Sequence, residues 1–256
     1  MISLTLNGVR TAVHVWGQRG RPVVVAHSAG LDGESAAAFA ETIVPAGYQV
    51  YAPDLRGHGR SDAEPEEATL AGMADDLSAL PGALGLRGAS LIGTSLGGVV
   101  AAVAVTMPTS EYDDLTILCS PDKGYPAFAE RAEAVRQDGM ESVVESTLDR
   151  WFPTEELANN SLSVRLARDS LMRMSAPHWI AVWNDFAHWR GYGKPVPGVT
   201  VRVIAGENDV STPPAVMSKV AAQYGTTLRV LKDAPHQALL THPRKVAREW
   251  LDVAAS

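Results

Sequence analysis

The chain has 256 residues, enough for one large α/β domain with a substantial core. Hydrophobic residues make up 46% and charged residues 20%, and a net charge of −7 argues against nucleic acid or an anionic membrane as partner. No run of about 18 apolar residues is present to cross a bilayer, and the first residues lack the basic start and apolar stretch of a signal peptide. The single cysteine, Cys119, cannot close an internal disulfide, so a reducing, cytoplasmic location is expected. It lies in an apolar run and reads as a buried structural thiol.

The chain opens as a hairpin, with alternating segments at 2–6 and 12–16 joined through Asn7-Gly8. Strand-like apolar runs follow at 23–26, 50–52, 89–92, 115–119, 199–205 and 228–231. Helical patterns fall between most of them, at 35–44, 70–80, 96–107, 213–224 and 243–253. This alternation predicts an α/β fold: a mostly parallel eight-stranded sheet flanked by helices on both faces. The rhythm breaks between 122 and 197, where helices are expected at 126–137, 140–151, 162–174 and 178–189. That interval is expected to be a helical lid inserted after the sixth strand, and 1–121 with 198–256 the core domain.

The most informative stretch is Leu91-Ile92-Gly93-Thr94-Ser95-Leu96-Gly97-Gly98, a G-x-S-x-G pentapeptide between an apolar run and a helical one. A strand turning abruptly into a helix at Ser95 would expose its hydroxyl at the carboxyl edge of the sheet, with Gly93 and Gly97 where side chains would collide. The following helix would aim its first amides at nearby negative charge. A tight turn that merely contains a serine is the plainer alternative. A serine hydroxyl needs a base, the base needs an orienting acid, and both should follow in the order Ser, Asp/Glu, His on loops after strands. Asp209 follows the run 201–205 and His236 follows 228–231. Glu207 and Asp122 compete for the acid, and His242 for the base, although His242 better suits the start of the last helix. Backbone donors for an oxyanion are expected from Leu96 and from Ala29, in the small-residue loop Ala26-His27-Ser28-Ala29-Gly30. His178 and His188 have no metal-ligand spacing, and no metal or cofactor is expected.

Together these residues resemble the α/β-hydrolase superfamily along nearly the whole chain. The stretch from Asp54 through Arg56, Gly57, His58 and Gly59 to Ser61 looks like that family's D-x-R-G-x-G-x-S turn, whose role is structural. Within the superfamily the chain is similar to the 3-oxoadipate enol-lactonase group. The matching residues are His27-Ser28-Ala29-Gly30, Cys119-Ser120-Pro121, Glu130-Arg131-Ala132, Val135-Arg136, Gly139-Met140 and Arg150-Trp151-Phe152. The resemblance implies hydrolysis of a small ester or enol-lactone without a cofactor. From 159 to 190 the chain departs from that group, and His242 stands where the group often has an acidic residue.

A general carboxylesterase, a carbon–carbon bond hydrolase, a non-hydrolytic enzyme of the same fold and a receptor remain as alternatives. Trp151, Trp179 and Trp183 are candidates for the substrate pocket and equally for packed core. Arg131, Arg136, Arg150, Arg165, Arg168 and Arg173 could include one that meets a substrate carboxylate, as an oxoadipate-like lactone would require, but they read more simply as solvated lid faces paired with Glu130, Glu133, Glu141 and Glu145. Oligomeric state is not legible.

Overall fold

Eight strands form one sheet in the computed structural model, which describes residues 1–254. They are β1 (Ile2–Leu6), β2 (Val9–Trp16), β3 (Arg21–Ala26), β4 (Tyr48–Pro53), β5 (Ala89–Thr94), β6 (Tyr112–Leu118), β7 (Thr200–Gly206) and β8 (Leu228–Leu231). Their order across the sheet is β1-β2-β4-β3-β5-β6-β7-β8. β2 runs antiparallel to both β1 and β4, and the remaining pairings are parallel.

The first three helices are α1 (Ala37–Ile43), α2 (Leu70–Leu84) and α3 (Leu96–Ala104). Between β6 and β7 the chain adds α4 (Pro126–Asp138), α5 (Glu141–Trp151), α6 (Thr154–Ala158), α7 (Leu162–Arg173) and α8 (Ala176–Ala187). α9 (Pro214–Gln223), α10 (Ala238–Thr241) and α11 (Pro243–Ala254) complete it. Side chains alternate across a strand, so each strand feeds two layers. Val23, Val25, Ile92 and Ile204 pack against Phe39 and Ile43 of α1 and Val246 and Trp250 of α11. Val24, Leu91, Leu115 and Val203 face the other way, toward Met73 and Leu77 of α2, Val99 of α3 and Met217 of α9. Burial on both faces explains why the central strands read as unbroken apolar runs.

Several boundaries differ from the sequence expectation, for local reasons. The helix expected at 35–44 is divided into a 3-10 turn, α1 and a second 3-10 turn that contains Pro45. α2 does not stop at Leu80 but continues through Pro81 to Leu84. Proline cannot donate to the carbonyl four residues before it, and here that carbonyl, on Leu77, accepts instead from the buried Tyr112 hydroxyl at 2.8 Å. The short helices α6 and α10 carry too few turns to show periodicity and were not expected. Among the described residues no helix is long and apolar enough to cross a membrane.

The helical insertion is tied down at several points. Asp185 of α8 accepts from the backbone N–H of Leu70, the first residue of α2, at 2.7 Å, a placement favoured by the orphan amides and positive dipole of a helix start. His178 bonds the carbonyl of Ala63 at 2.9 Å, and Arg173 reaches Asp32 at 3.2 Å. Its interior is aromatic: Phe128 of α4 packs against Trp183 and Phe186 of α8, with ring centroids 5.2 and 4.8 Å apart.

β5 passes into α3 across a crossing with no room for side chains. A Cβ on Gly93 would lie 2.2 Å from the carbonyl oxygen of Gly97, and one on Gly97 would lie 2.3 Å from that of Ala26. The obstacles are backbone, so relief would require moving β3 or α3. Gly97→Ala should therefore lower stability by about 2 kcal/mol or more. Urea unfolding would show this as an earlier midpoint at unchanged slope, and a midpoint equal to wild type would refute the crowding.

Candidate active site

Ser95 sits at that crossing with φ 54° and ψ −119°. This left-handed conformation costs a non-glycine residue about 1–3 kcal/mol and persists only where its surroundings impose it. The Ser95 N–H donates to Leu118 O at 3.0 Å, and its carbonyl accepts from Gly98 N at 3.0 Å and from the Ser120 hydroxyl at 2.6 Å. Tyr192, beyond α8, donates in turn to Ser120 Oγ at 2.9 Å.

His236 Nε2 lies 3.1 Å from Ser95 Oγ, and His236 Nδ1 lies 2.9 Å from Asp209 Oδ2. The Asp209 carboxylate is buried and well supplied with donors. Oδ1 accepts from the N–H groups of Ser211 and Thr212, each at 2.8 Å, and Oδ2 accepts from the Thr212 hydroxyl at 2.7 Å. Burial alone would raise its pKa, but the His236 partner and these hydrogen bonds together bring it down to about 2. An ionised carboxylate only accepts, so the His236 proton belongs on Nδ1. That tautomer leaves the Nε2 lone pair facing Ser95.

The rival residues stand elsewhere. Glu207 accepts from Asp233 N at 2.9 Å, and Asp122 accepts from the Tyr125 hydroxyl with Lys219 3.6 Å away. Neither hydrogen-bonds His236. His242 offers its carbonyl to Val246 N at 3.0 Å at the start of α11 and bonds Thr241 through its side chain at 2.8 Å.

Leu96 opens α3, so its amide is among those a helix leaves without an intrahelical acceptor. Ala29 lines the same cavity as Ser95. Its loop is fixed by His27, whose Nε2 accepts from Leu55 N at 3.0 Å, which leaves Nδ1 to donate to Ser28 O at 2.9 Å. Burial keeps His27 neutral by lowering its pKa. Asp54, at the head of the D-x-R-G turn, accepts from Gly33 N and Arg60 N at 2.7 Å each, and Leu55 next to it carries the N–H that bonds His27.

Ala29, Ser95 and His236 share their cavity with Pro121, Phe128, Arg131, Trp151, Trp183, Phe186, Ser211 and Thr212. The space enclosed is about 360 Å³ including its open mouth, yet the centre of a water molecule can occupy only about 20 Å³ of it. The smaller figure describes what fits without movement, room for one or two waters. A roomier cleft of about 690 Å³ lies between the first hairpin and α7–α8, and touches none of Ser95, Asp209 and His236. Of the three candidate tryptophans, Trp151 and Trp183 line the cavity, Trp151 stacking on the His236 ring at 6.3 Å. Trp179 does not: it packs behind the wall, against Gly30 and Trp183, and donates to Arg131 O at 3.2 Å. Thr212 and Gln237, which bonds Ser28 across to the Ala29 loop at 3.1 Å, carried no sequence signal as site residues. Among the described residues no group of three or more His, Cys, Asp or Glu side chains could hold a metal ion.

Known proteins agree with this architecture. The model of the alpha/beta hydrolase family matches residues 23–249. The (E)-2-((N-methylformamido)methylene)succinate hydrolase of Acinetobacter baylyi is 26% identical over 98% of this chain and 97% of its own length. The 3-oxoadipate enol-lactonase 1 of the same organism is 34% identical over 41% of this chain and 40% of its own. The crystal structure of the enol-lactonase from Burkholderia xenovorans LB400 superposes with a TM-score of 0.89 at 21% identity, covering 100% of both chains. With a family match across nearly its whole length, and with the sheet order and strand-to-helix serine described above, the chain belongs to the alpha/beta hydrolase family.

Proposed function

We propose that the protein is a serine hydrolase that cleaves a compact carboxylic ester or lactone through an acyl-enzyme. The observation that carries this reading is the hydrogen-bonded line from Ser95 Oγ through His236 to the ionised Asp209, opening into a lined cavity. In the proposed reaction His236 Nε2 takes the Ser95 proton as Oγ attacks the carbonyl carbon. The N–H groups of Leu96 and Ala29 receive the developing oxyanion. His236 then protonates the leaving alkoxide, and for a lactone that alkoxide stays tethered to the acyl group. Water, deprotonated by the same imidazole, finally releases the acid and free Ser95. No metal or cofactor takes part in these steps. The helices within 122–197 act as the lid, and their bulk over Ser95 favours small substrates over polymers. Relatives named as a succinate-derivative hydrolase and an enol-lactonase support a small ester-like or lactone substrate.

Ser95→Ala should abolish turnover of a chromogenic acetate ester, a loss of about 10⁴-fold or more, while circular dichroism stays native. His236→Ala should lose several powers of ten, and His242→Ala should retain most of the activity. The reverse ranking would overturn the base assignment.

Asp209→Asn should cost roughly 10⁴ in kcat, because an amide can donate to Nδ1 and so stabilise the wrong tautomer. A larger loss from Asp122→Asn would move the acid to the loop after β6. The wild-type rate should also fall on acidification, since a protonated imidazole cannot accept the serine proton. Asp209, held at about 2, stays ionised well into the acid range, so its protonation is not what stops the reaction. Small γ- and δ-lactones and C2 esters should be hydrolysed with higher kcat/KM than C12 esters, and a preference for C12 would reject the compact-substrate reading.

A further inference from the structure

Two buried polar side chains beside the site are bonded only to each other. Ser28 is 0% exposed and Gln237 1%. Ser28 Oγ lies 3.1 Å from Gln237 Nε2 and 3.3 Å from Gln237 Oε1. Among the described residues neither side chain has another hydrogen-bond partner. Replacing both members of such a buried pair by apolar groups of similar shape is close to neutral for stability. What an apolar pair cannot supply is direction, because a hydrogen bond constrains distance and angle together.

The two residues stand where direction matters. Gln237 follows His236, and its backbone is anchored on both sides. Its N–H donates to Trp151 O at 3.4 Å, and its carbonyl accepts from Leu240 N and Thr241 N at 3.0 Å each. Ser28 precedes Ala29, a residue 2% exposed whose N–H has no acceptor among the described residues. The Ser28 carbonyl belongs to the same peptide unit as that N–H. It accepts from His27 Nδ1 at 2.9 Å and from Leu31 N at 3.1 Å. In a planar trans peptide the N–H points away from the carbonyl, so these two donors set its general heading. They hold only one end of the plane. The bond from Gln237 to Ser28 Oγ restrains the unit at a further point and limits its tilt.

We propose that Gln237 is a positioning residue that acts through Ser28 to aim the Ala29 N–H at the oxyanion. This rests on the serine hydrolase reading above. Gln237 touches no reacting atom. It ties the oxyanion donor to the loop that carries His236, so that donor and base keep their mutual geometry.

The test uses p-nitrophenyl acetate as substrate and 1,1,1-trifluoroacetone as a transition-state mimic. Ser95 Oγ adds to the ketone carbon and its proton passes to His236. The ketone oxygen becomes the anion that the amides of Leu96 and Ala29 receive. The inhibition constant for the ketone therefore reads the oxyanion donors, and it is independent of how much of a sample is folded. Gln237→Met and Ser28→Ala should each lower kcat/KM by about ten- to a hundredfold. Each should weaken ketone inhibition by a similar factor. The double variant should lose no more than the worse single variant, because both break one link. Its urea midpoint should be no lower than that of either single variant. An inhibition constant equal to wild type in Ser28→Ala, or losses that multiply in the double variant, would overturn the proposal and leave the hydrolase reading standing. If Gln237→Met does not fold, Ser28→Ala, which removes a single oxygen, decides alone. If wild type neither cleaves the acetate nor binds the ketone, the hydrolase reading falls and this inference with it.

Discussion

A carboxylate removed from water must be satisfied, and the geometry around Ser95 depends on how Asp209 is satisfied. Two backbone amides, one hydroxyl and one imidazole N–H converge on it. Together they outweigh the cost of burial and keep it ionised. Because an ionised carboxylate can only accept, it dictates which His236 nitrogen carries the proton, and hence that a lone pair faces Ser95. The loop following β7 thus sets the protonation of a residue on a loop following β8. Gly206 permits this by letting the two loops touch, since a Cβ there would lie 2.4 Å from the carbonyl oxygen of Ala234.

The inserted helices are continuous with this arrangement. A helix leaves its last carbonyls unpaired, and at the end of α5 two of them are taken up by the site loops. Arg150 O accepts from the Ser211 hydroxyl at 3.2 Å, and Trp151 O accepts from Gln237 N at 3.4 Å. Ser211 is two residues from Asp209, and Gln237 follows His236. α5 therefore clamps the Asp209 loop and the His236 loop together, and the Trp151 ring stacks on the imidazole. The motif Arg150-Trp151-Phe152, part of the resemblance at the sequence level, joins the insertion to the site.

The sequence carried the order of the eight strands along the chain, because the central apolar runs are buried on both faces and the opening hairpin alternates about Asn7-Gly8. It also carried Ser95, Asp209 and His236 as residues that should meet, because each follows a strand in a fixed order. It did not carry the passage of α2 through Pro81, which depends on the Tyr112 hydroxyl serving the Leu77 carbonyl from 35 residues away. Nor did it separate Trp151 and Trp183 from Trp179. All three are apolar positions on the inserted helices, and only packing decides which side of the wall each occupies. Nor did the sequence say which of the six arginines lines the cavity, as Arg131 does. Arg131 and Arg136 lie on one helix, five residues apart and thus on different faces, and spacing alone does not say which face looks inward.

The narrowness of the cavity constrains how a substrate could reach Ser95. Room for one or two waters does not admit an ester, so side chains or helices that line the cavity must give way for a substrate to reach Ser95. Movement of α5 would loosen both site loops through Ser211 and Gln237, and would disturb the His236 geometry as the substrate arrived. α7 and α8 are held to the core differently, by the Arg173–Asp32 pair, the His178 bond to Ala63 and the Asp185 bond to Leu70. None of these involves the loops that carry Asp209 and His236. Phe186 and Trp183, which form part of the cavity wall, belong to α8. Displacing α8 would widen the cavity while leaving α5 clamped. α8 is nevertheless bound to α4, where Phe128 packs on Trp183 and Phe186 and Arg131 lies over the Trp183 ring, so opening the cavity at α8 also opens the aromatic interior of the insertion.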